Sequence, residues 1–303
     1  MNRLENIVRT NELEVKRIVV TGCGYRPLKY TFYDVVTGET SHDAIFVDGR
    51  EMKLNIGAAV AGVLAKSGAT VHMVSTSEDK LDNIKQEFSG HINPEQVEYS
   101  ALDLLSEDAV KDFVVRLPKD KPFYWVQSVG LGAGSYKLKD DNPYLPLEEI
   151  PIELLEKESQ TVLCATHLMM KEFLPRFREQ DETRIALVSS MSAIRGYSYG
   201  GTHCAAKGAI DRYANAAMLA LYKDNIFVTT VRPGGVDTGM YDNPFVQEAI
   251  KIVSDEYGGN YRMHQTYAPP IEVGKLVKEI FTIGAHIPSV NFVARGQMPN
   301  EGS

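Results

Sequence analysis

Short apolar runs alternate with longer segments in which apolar residues recur every three or four positions, almost from one end of the chain to the other. Arg17 to Thr21, Thr70 to Val74, Phe123 to Val126, Ile185 to Val188 and Ile226 to Val231 read as buried strands. Val97 to Ser100 leads into a strand end at Leu102-Asp103, and Val290 to Val293 reads as a last strand. Between them lie helical patterns: Ala58 to Ala65, rich in small residues, Glu78 to Phe88, and a helix capped by Ser106 that runs to about Leu117. A single long helix follows from about Leu154 to Phe177, and another from Cys204 to Tyr222. Strand–helix–strand alternation of this kind predicts an α/β fold, a doubly wound parallel sheet with helices on both faces.

Two segments break the rhythm. The first, residues 25–54, reads as an inserted hairpin: Tyr30 to Val36 is β-rich, Thr37 to Thr40 has turn chemistry, and Ala44 to Val47 is the return strand. Asp48-Gly49 then turns the chain back. The second, residues 237–270, is rich in Tyr, Asn, Gly and Pro. Both follow strands, and ligands of open α/β sheets sit at the carboxyl ends of strands. Both segments are therefore expected to border the crevice, the second as the substrate-binding segment.

Size and charge narrow the class. The chain has 303 residues, 44% of them hydrophobic, which suits one large domain over 1–303. A net charge of −8 argues against a nucleic-acid or anionic-membrane surface. No apolar run reaches the roughly 18 residues of a membrane span, and Met1 to Glu14 lacks the apolar core of a secretory signal. Cys23, Cys164 and Cys204 have no metal-ligand spacing, so no metal is expected and the thiols read as reduced. The expectation is a cytoplasmic enzyme working on a small-molecule substrate.

The chemistry-bearing residues fall at strand ends. Thr21-Gly22 follows the first strand, and Asn55-Ile56-Gly57 opens the small-residue helix beyond the insert. Leu102-Asp103-Leu104 ends the third strand and Gln127-Ser128-Val129-Gly130 the fourth. Ser189-Ser190 ends the fifth, with His203 13 positions after Ser190 and Lys207 one helical turn further on. Pro233-Gly234 and Thr238 follow the sixth. In this order the motifs resemble those of the short-chain dehydrogenase/reductases, over nearly the whole chain apart from the insert. The resemblance implies a Rossmann-type sheet and a dinucleotide cofactor. Its pyrophosphate would face Gly22, Asn55, Ile56 and Gly57 at a helix N-terminus. Its adenine would lie by Asp103 and Leu104, and its nicotinamide by Gly130, Pro233, Gly234 and Thr238. The second strand ends in Ser75 and Thr76 with no acidic residue to receive ribose hydroxyls, which favours NADP(H) over NAD(H). Arg26, Lys29, Arg50 and Lys53 in the insert can add positive charge there. Members of the family assemble as dimers or tetramers, so a homodimer or homotetramer is expected.

The resemblance also implies a catalytic Ser190 and Lys207, the latter holding the ribose, but His203 stands where the family carries its proton-donating tyrosine. The family's helix asparagine falls near Gln160-Thr161 and is absent as well. Histidine is itself an acid or base, and Lys207 beside it favours its neutral form. Two other readings stay open. Gln-Ser-Val-Gly is similar to the His-Ser-Ile-Gly of enoyl-ACP reductases, where a tyrosine further upstream serves; Tyr199 lies one residue from that register, and Tyr197 is nearby. His203 can also simply fill the tyrosine's space. A Cys204–His203 nucleophile is disfavoured, because helix neighbours point about 100° apart. The functions consistent with these residues are reduction of a carbonyl or activated C=C with an atypical proton donor, a lyase, dehydratase or isomerase with His203 as acid/base, and a non-catalytic nucleotide-binding subunit.

Overall fold

The computed structural model describes residues 13–29, 44–131, 145–197, 199–242, 244, 246–248 and 267–294. Seven parallel strands form the main sheet: β1 (Arg17–Thr21), β5 (Thr70–Ser75), β6 (Val97–Ala101), β7 (Phe123–Gln127), β8 (Thr183–Val188), β9 (Ile226–Pro233) and β10 (Ser289–Phe292). Their spatial order is β10-β9-β8-β7-β1-β5-β6. The chain leaves β1 toward β5 and β6, then crosses back to β7 on the other side of β1. The carboxyl ends of β1 and β7 therefore flank the topological switch point, where an open sheet offers its ligand crevice.

The apolar runs are buried on both faces. Ile18 and Val20 of β1 enter one core, shared with α1 (Ile56–Lys66), α2 (Glu78–Ser89) and α7 (Pro270–Thr282). Val19 points the other way, into a core shared with α3 (Glu107–Arg116), α5 (Ala165–Phe177) and α6 (Gly201–Leu221). The period-two alternation of a strand thus feeds two helical layers. Ser106 caps α3 as expected, its Oγ accepting from Ala109 N at 3.3 Å. No helix among the described residues is long and apolar enough to cross a membrane.

Several boundaries shift. Leu102 and Asp103 lie just beyond β6 rather than in it, the last strand starts at Ser289, and α6 begins at Gly201. The long helix expected over 154–177 starts at Ile152 and is interrupted. After α4 (Ile152–Ser159) comes one π turn, Gln160–Cys164, before α5. Hydroxyl and amide groups meet at this turn: Thr166 Oγ1 donates to Val162 O at 2.6 Å, and the Gln127 amide at the end of β7 donates to Thr166 Oγ1. Apolar periodicity does not register an extra residue in one turn.

The insert forms a small antiparallel sheet, β2 (Tyr25–Pro27), β4 (Arg50–Leu54) and β3 (Ala44–Val47), with β4 central. Asp48 and Gly49 both adopt positive φ, 51° and 71°, which makes the tight β3–β4 hairpin turn. The partner of Ala44–Val47 is thus Arg50–Leu54, not the β-rich stretch 30–36, which lies with the 37–40 turn outside the described residues. Ile45, Val47 and Leu54 join the α1–α2 core, and Asn83 of α2 donates to the Tyr25 hydroxyl at 2.9 Å.

Candidate active site

The glycine turn closes in spite of the insert. Tyr25 pairs with Leu54, which places Gly24 beside Asn55, and Asn55 N donates to Gly24 O at 3.0 Å. Asn55 then organises the turn with its side chain. Its Oδ1 accepts from Gly24 N at 3.1 Å and from Ala58 N at 2.9 Å, and its Nδ2 donates to Gly22 O at 2.8 Å. It caps α1 through Ala58 N and also ties the helix start back to the turn. Gly22 has φ +88°, and a Cβ there would lie 2.7 Å from Ser128 C; a Cβ on Gly57 would lie 2.6 Å from Gly22 O. The two glycines permit β1, α1 and the β7 exit to meet without intervening side chains. The Cys23 thiol is pushed up to about 12 by burial and donates to Val20 O, so it is an inert part of the turn.

Ser75 ends β5 and is half-buried, while Thr76 is exposed beside it. Asp103 is exposed and takes the Leu105 N–H at 3.0 Å, and Leu104 is buried in the core beneath. Thr238 is half-buried, and Gly234 N donates to Phe292 O at 2.7 Å. Pro233 is buried at the end of β9.

Lys53 does not serve the role expected of the insert's basic residues. It is fully buried, with Nζ 2.6 Å from Asp237 Oδ1 and 3.1 Å from Asp242 Oδ1. Its charge is spent on two carboxylates and offers nothing to a phosphate. Arg50 and Lys29 are exposed, and Arg26 packs its stem against Gly239.

α6 carries the catalytic candidates. Ser189 Oγ donates to Lys207 O at 3.1 Å, and Lys207 Nζ donates to Val188 O at 3.2 Å, so the helix is pinned to the end of β8. Lys207 Nζ also lies 3.6 Å from where a Cβ on Gly130 would be, so the ammonium is next to the chain leaving β7. Burial pushes the Lys207 pKa down to about 8, against the opposing pull of the Glu158 carboxylate. His203, four residues earlier, lies on the same helical face. Its Nδ1 is 3.3 Å from Glu158 Oε1. Facing an ionised Glu158, Nδ1 would be the donor of this pair, which leaves Nε2 to exchange a proton. Glu158 is itself buried at the last turn of α4, directly before the π turn.

The remaining candidates are arranged differently. Ser190 caps the short turn Met191–Ala193, with its Oγ donating to Ser192 Oγ at 2.9 Å and accepting from Ser192 N at 3.1 Å. Tyr199 sits at φ +64° on the turn entering α6, and the Tyr197 ring packs over Gly200. Burial raises the Cys204 pKa and its thiol faces Arg195 O, which disfavours a thiolate there. Of the two residues near the family's asparagine position, Gln160 is exposed and Thr161 half-buried, both within the π turn. Glu158, absent from the candidates read in the sequence, takes its place beside His203. The signal was available: Leu154, Glu158 and Val162 recur at helical spacing and are all buried, so Glu158 is a carboxylate on an apolar stripe.

A profile of the family described as short chain dehydrogenase matches residues 53–249, starting where the insert ends. The chain is 20% identical over 246 residues to an uncharacterized oxidoreductase, YusZ, of Bacillus subtilis, covering 76% of this chain and 84% of that protein. It is 30% identical over 102 residues to a 3-ketodihydrosphingosine reductase of Bacteroides thetaiotaomicron; that match spans 32% of this chain and only 38% of the relative's length. Among solved structures it is similar to L-sorbose reductase from Gluconobacter frateurii complexed with NADPH and L-sorbose, at TM-score 0.68 and 18% identity, over 95% of this chain and 98% of that one. The sheet order and the reach of the profile across both sides of the crevice agree, and on them the chain belongs to the short chain dehydrogenase family.

Proposed function

We propose that this protein is an NADP(H)-dependent oxidoreductase acting on a carbonyl or activated C=C, with His203 as the proton donor and Glu158 as the carboxylate that holds it. The observation that carries this reading is the Glu158–His203–Lys207 grouping at the carboxyl ends of β7 and β8, beside the closed glycine turn. The residues present fit a dinucleotide. The turn of Gly22 and Asn55-Ile56-Gly57 brings the N-terminus of α1 against the end of β1 with no side chain on either glycine, and Lys207 lies beside Gly130 where the chain leaves β7. The hydroxyls of Ser75 and Thr76 would receive a 2′-phosphate, and the NADPH of the similar L-sorbose reductase supports the same choice. When bound, the cofactor supplies or accepts the hydride.

The chain's own residues manage the proton. His203 passes a proton from Nε2 to the substrate oxygen, and Glu158 at Nδ1 offsets the disfavouring charge of Lys207 in the imidazolium form that this step requires. Lys207 adds a positive charge that favours the developing oxyanion and positions the ribose. A second reading rests on the same pair: a histidine held by a carboxylate also moves protons in an elimination or isomerisation without net hydride transfer.

Fluorescence titration with NADPH and an absorbance assay against a set of ketones, aldehydes and enones test the proposal. His203→Phe should lower kcat by roughly 10² to 10⁴-fold, the scale of general-acid catalysis, with NADPH affinity within about threefold of the parent. A variant that still reduces its substrate at the parental rate would sink His203 as the donor. Conversion of substrate with no net change in NADPH absorbance would favour the elimination or isomerisation reading. Binding without any turnover would favour a nucleotide-binding subunit.

A further inference from the structure

The buried Lys53–Asp237–Asp242 cluster joins two parts of the chain that the dinucleotide motifs do not require. Lys53 is the penultimate residue of β4 in the insert, two residues before the glycine turn resumes at Asn55, and its carboxylate partners are 184 and 189 positions away, beyond the carboxyl end of β9. All three side chains are essentially excluded from solvent. The other strand of the insert makes the same connection. Lys29 N donates to Asp242 Oδ2 at 3.1 Å, and a Cβ on Gly239 would lie 3.1 Å from Arg26 Cβ. Asp242 thus takes the ammonium on one oxygen and a backbone N–H on the other. Burying three ionised groups is expensive, and apolar residues would hold two surfaces together at lower cost. What the ion cluster adds is a single register, because one ammonium must reach an oxygen of both aspartates while Asp242 also takes the Lys29 N–H, and a shifted hairpin breaks these contacts.

We propose that Lys53 is a positioning residue that locks the base of the insert to segment 237–242, making the two a single rigid wall on the substrate side of the crevice, and that this wall selects substrate shape. It follows that the base of the insert does not move independently of the segment after β9. The part concerning substrate rests on the oxidoreductase reading above; the coupling of the two segments does not.

Amide hydrogen exchange on the full-length protein tests the coupling without any activity. Asp242→Asn keeps the shape but sets an amide against donors on both sides. Exchange of amides in 25–29, 44–54 and 237–242 should then rise together, by about tenfold, while β1 and α1 stay protected. Loosening of only one of the two segments overturns the proposal, and so does unchanged exchange in both. Lys53→Met, which strands two carboxylates, should give the same paired pattern more strongly; if it fails to fold, Asp242→Asn still decides. With NADPH and the probes cyclohexanone, acetophenone and ethyl acetoacetate, Asp242→Asn should raise KM by about tenfold for at least one probe, with kcat within about threefold and an altered order of preference. A uniform fall in kcat with KM unchanged means the cluster only supports the fold, and overturns the specificity role. If the parent protein reduces none of the probes, the oxidoreductase reading is what fails, and the exchange data still decide the coupling.

Discussion

The glycine turn and the catalytic helix were altered in opposite ways. The turn carries a long insert, yet its geometry is intact: Gly22 and Gly57 are in backbone contact, and Asn55 bonds across the gap where the hairpin enters and leaves. The helix keeps Lys207 at the end of β8, yet it sets His203, which the sequence reading puts at the family's tyrosine position, against the buried carboxylate of Glu158, and on the reading proposed above this is a different proton-transfer group. A large change in chain length leaves a site unaltered when its two ends meet, whereas a change of one side chain alters the chemistry when that side chain touches the reacting atoms.

The contrast breaks most visibly if the turn is less tight than its contacts imply. Gly57→Val places a branched side chain against the Gly22 carbonyl, which is backbone and cannot turn away. We expect a loss of stability on the order of 4 kcal/mol, together with loss of measurable NADPH binding, read by chemical denaturation and fluorescence titration. A variant that folds and binds normally would show that α1 slides freely on β1.

The second test concerns the buried charge of α6. The native pKa of Lys207, about 8, lies below the ordinary 10.5. Below pH 8 both folded and unfolded chains hold the proton, and folding bears the full cost of burying the charge. Between pH 8 and 10.5 the unfolded chain binds more protons, so stability rises with pH, by about 3 kcal/mol in all. Lys207→Met should abolish this rise. Denaturant unfolding of both proteins at a series of pH values checks it, and an equal slope in the two would show that the ammonium is solvated.

The smallest effect sharpens the account of the turn. Asn55→Ala removes a helix cap and two further hydrogen bonds, so a loss of about 2 kcal/mol is expected in thermal or denaturant unfolding. Asn55→Asp keeps the acceptor for Ala58 N and Gly24 N but loses the donor to Gly22 O, and should fall between Asn55→Ala and the parent.

The sheet was legible because each buried strand is a run of apolar residues with turn chemistry at its end. β1, β7 and β8 show this most plainly, with every residue buried. The turn between β1 and α1 was legible too, since Thr21-Gly22 ends the strand and Asn55-Ile56-Gly57 opens the helix. What escaped were relations between distant side chains. Glu158 lies on the apolar stripe of Leu154 and Val162, which marks it as buried, but only the packing of α4 against α6 brings it to His203. Lys53 looked like a solvated hairpin charge, because nothing local announces two aspartates nearly two hundred residues away. The π turn at Gln160–Cys164 escaped for another reason: it adds one residue to a helical repeat without changing which residue types occur.

The hydrogen bond from Asn55 N to Gly24 O has a consequence for engineering. It makes the hairpin a module with one point of entry and exit, spliced into the chain where the path on either side is already continuous. Excising such a module by joining Gly24 to Asn55 through a short bridge also requires refilling the core space of Ile45, Val47 and Leu54 and replacing Asp237 and Asp242, which would lose Lys53. A related scaffold that receives the module needs a lysine-accepting pair of aspartates beyond its own β9 equivalent for the graft to seat.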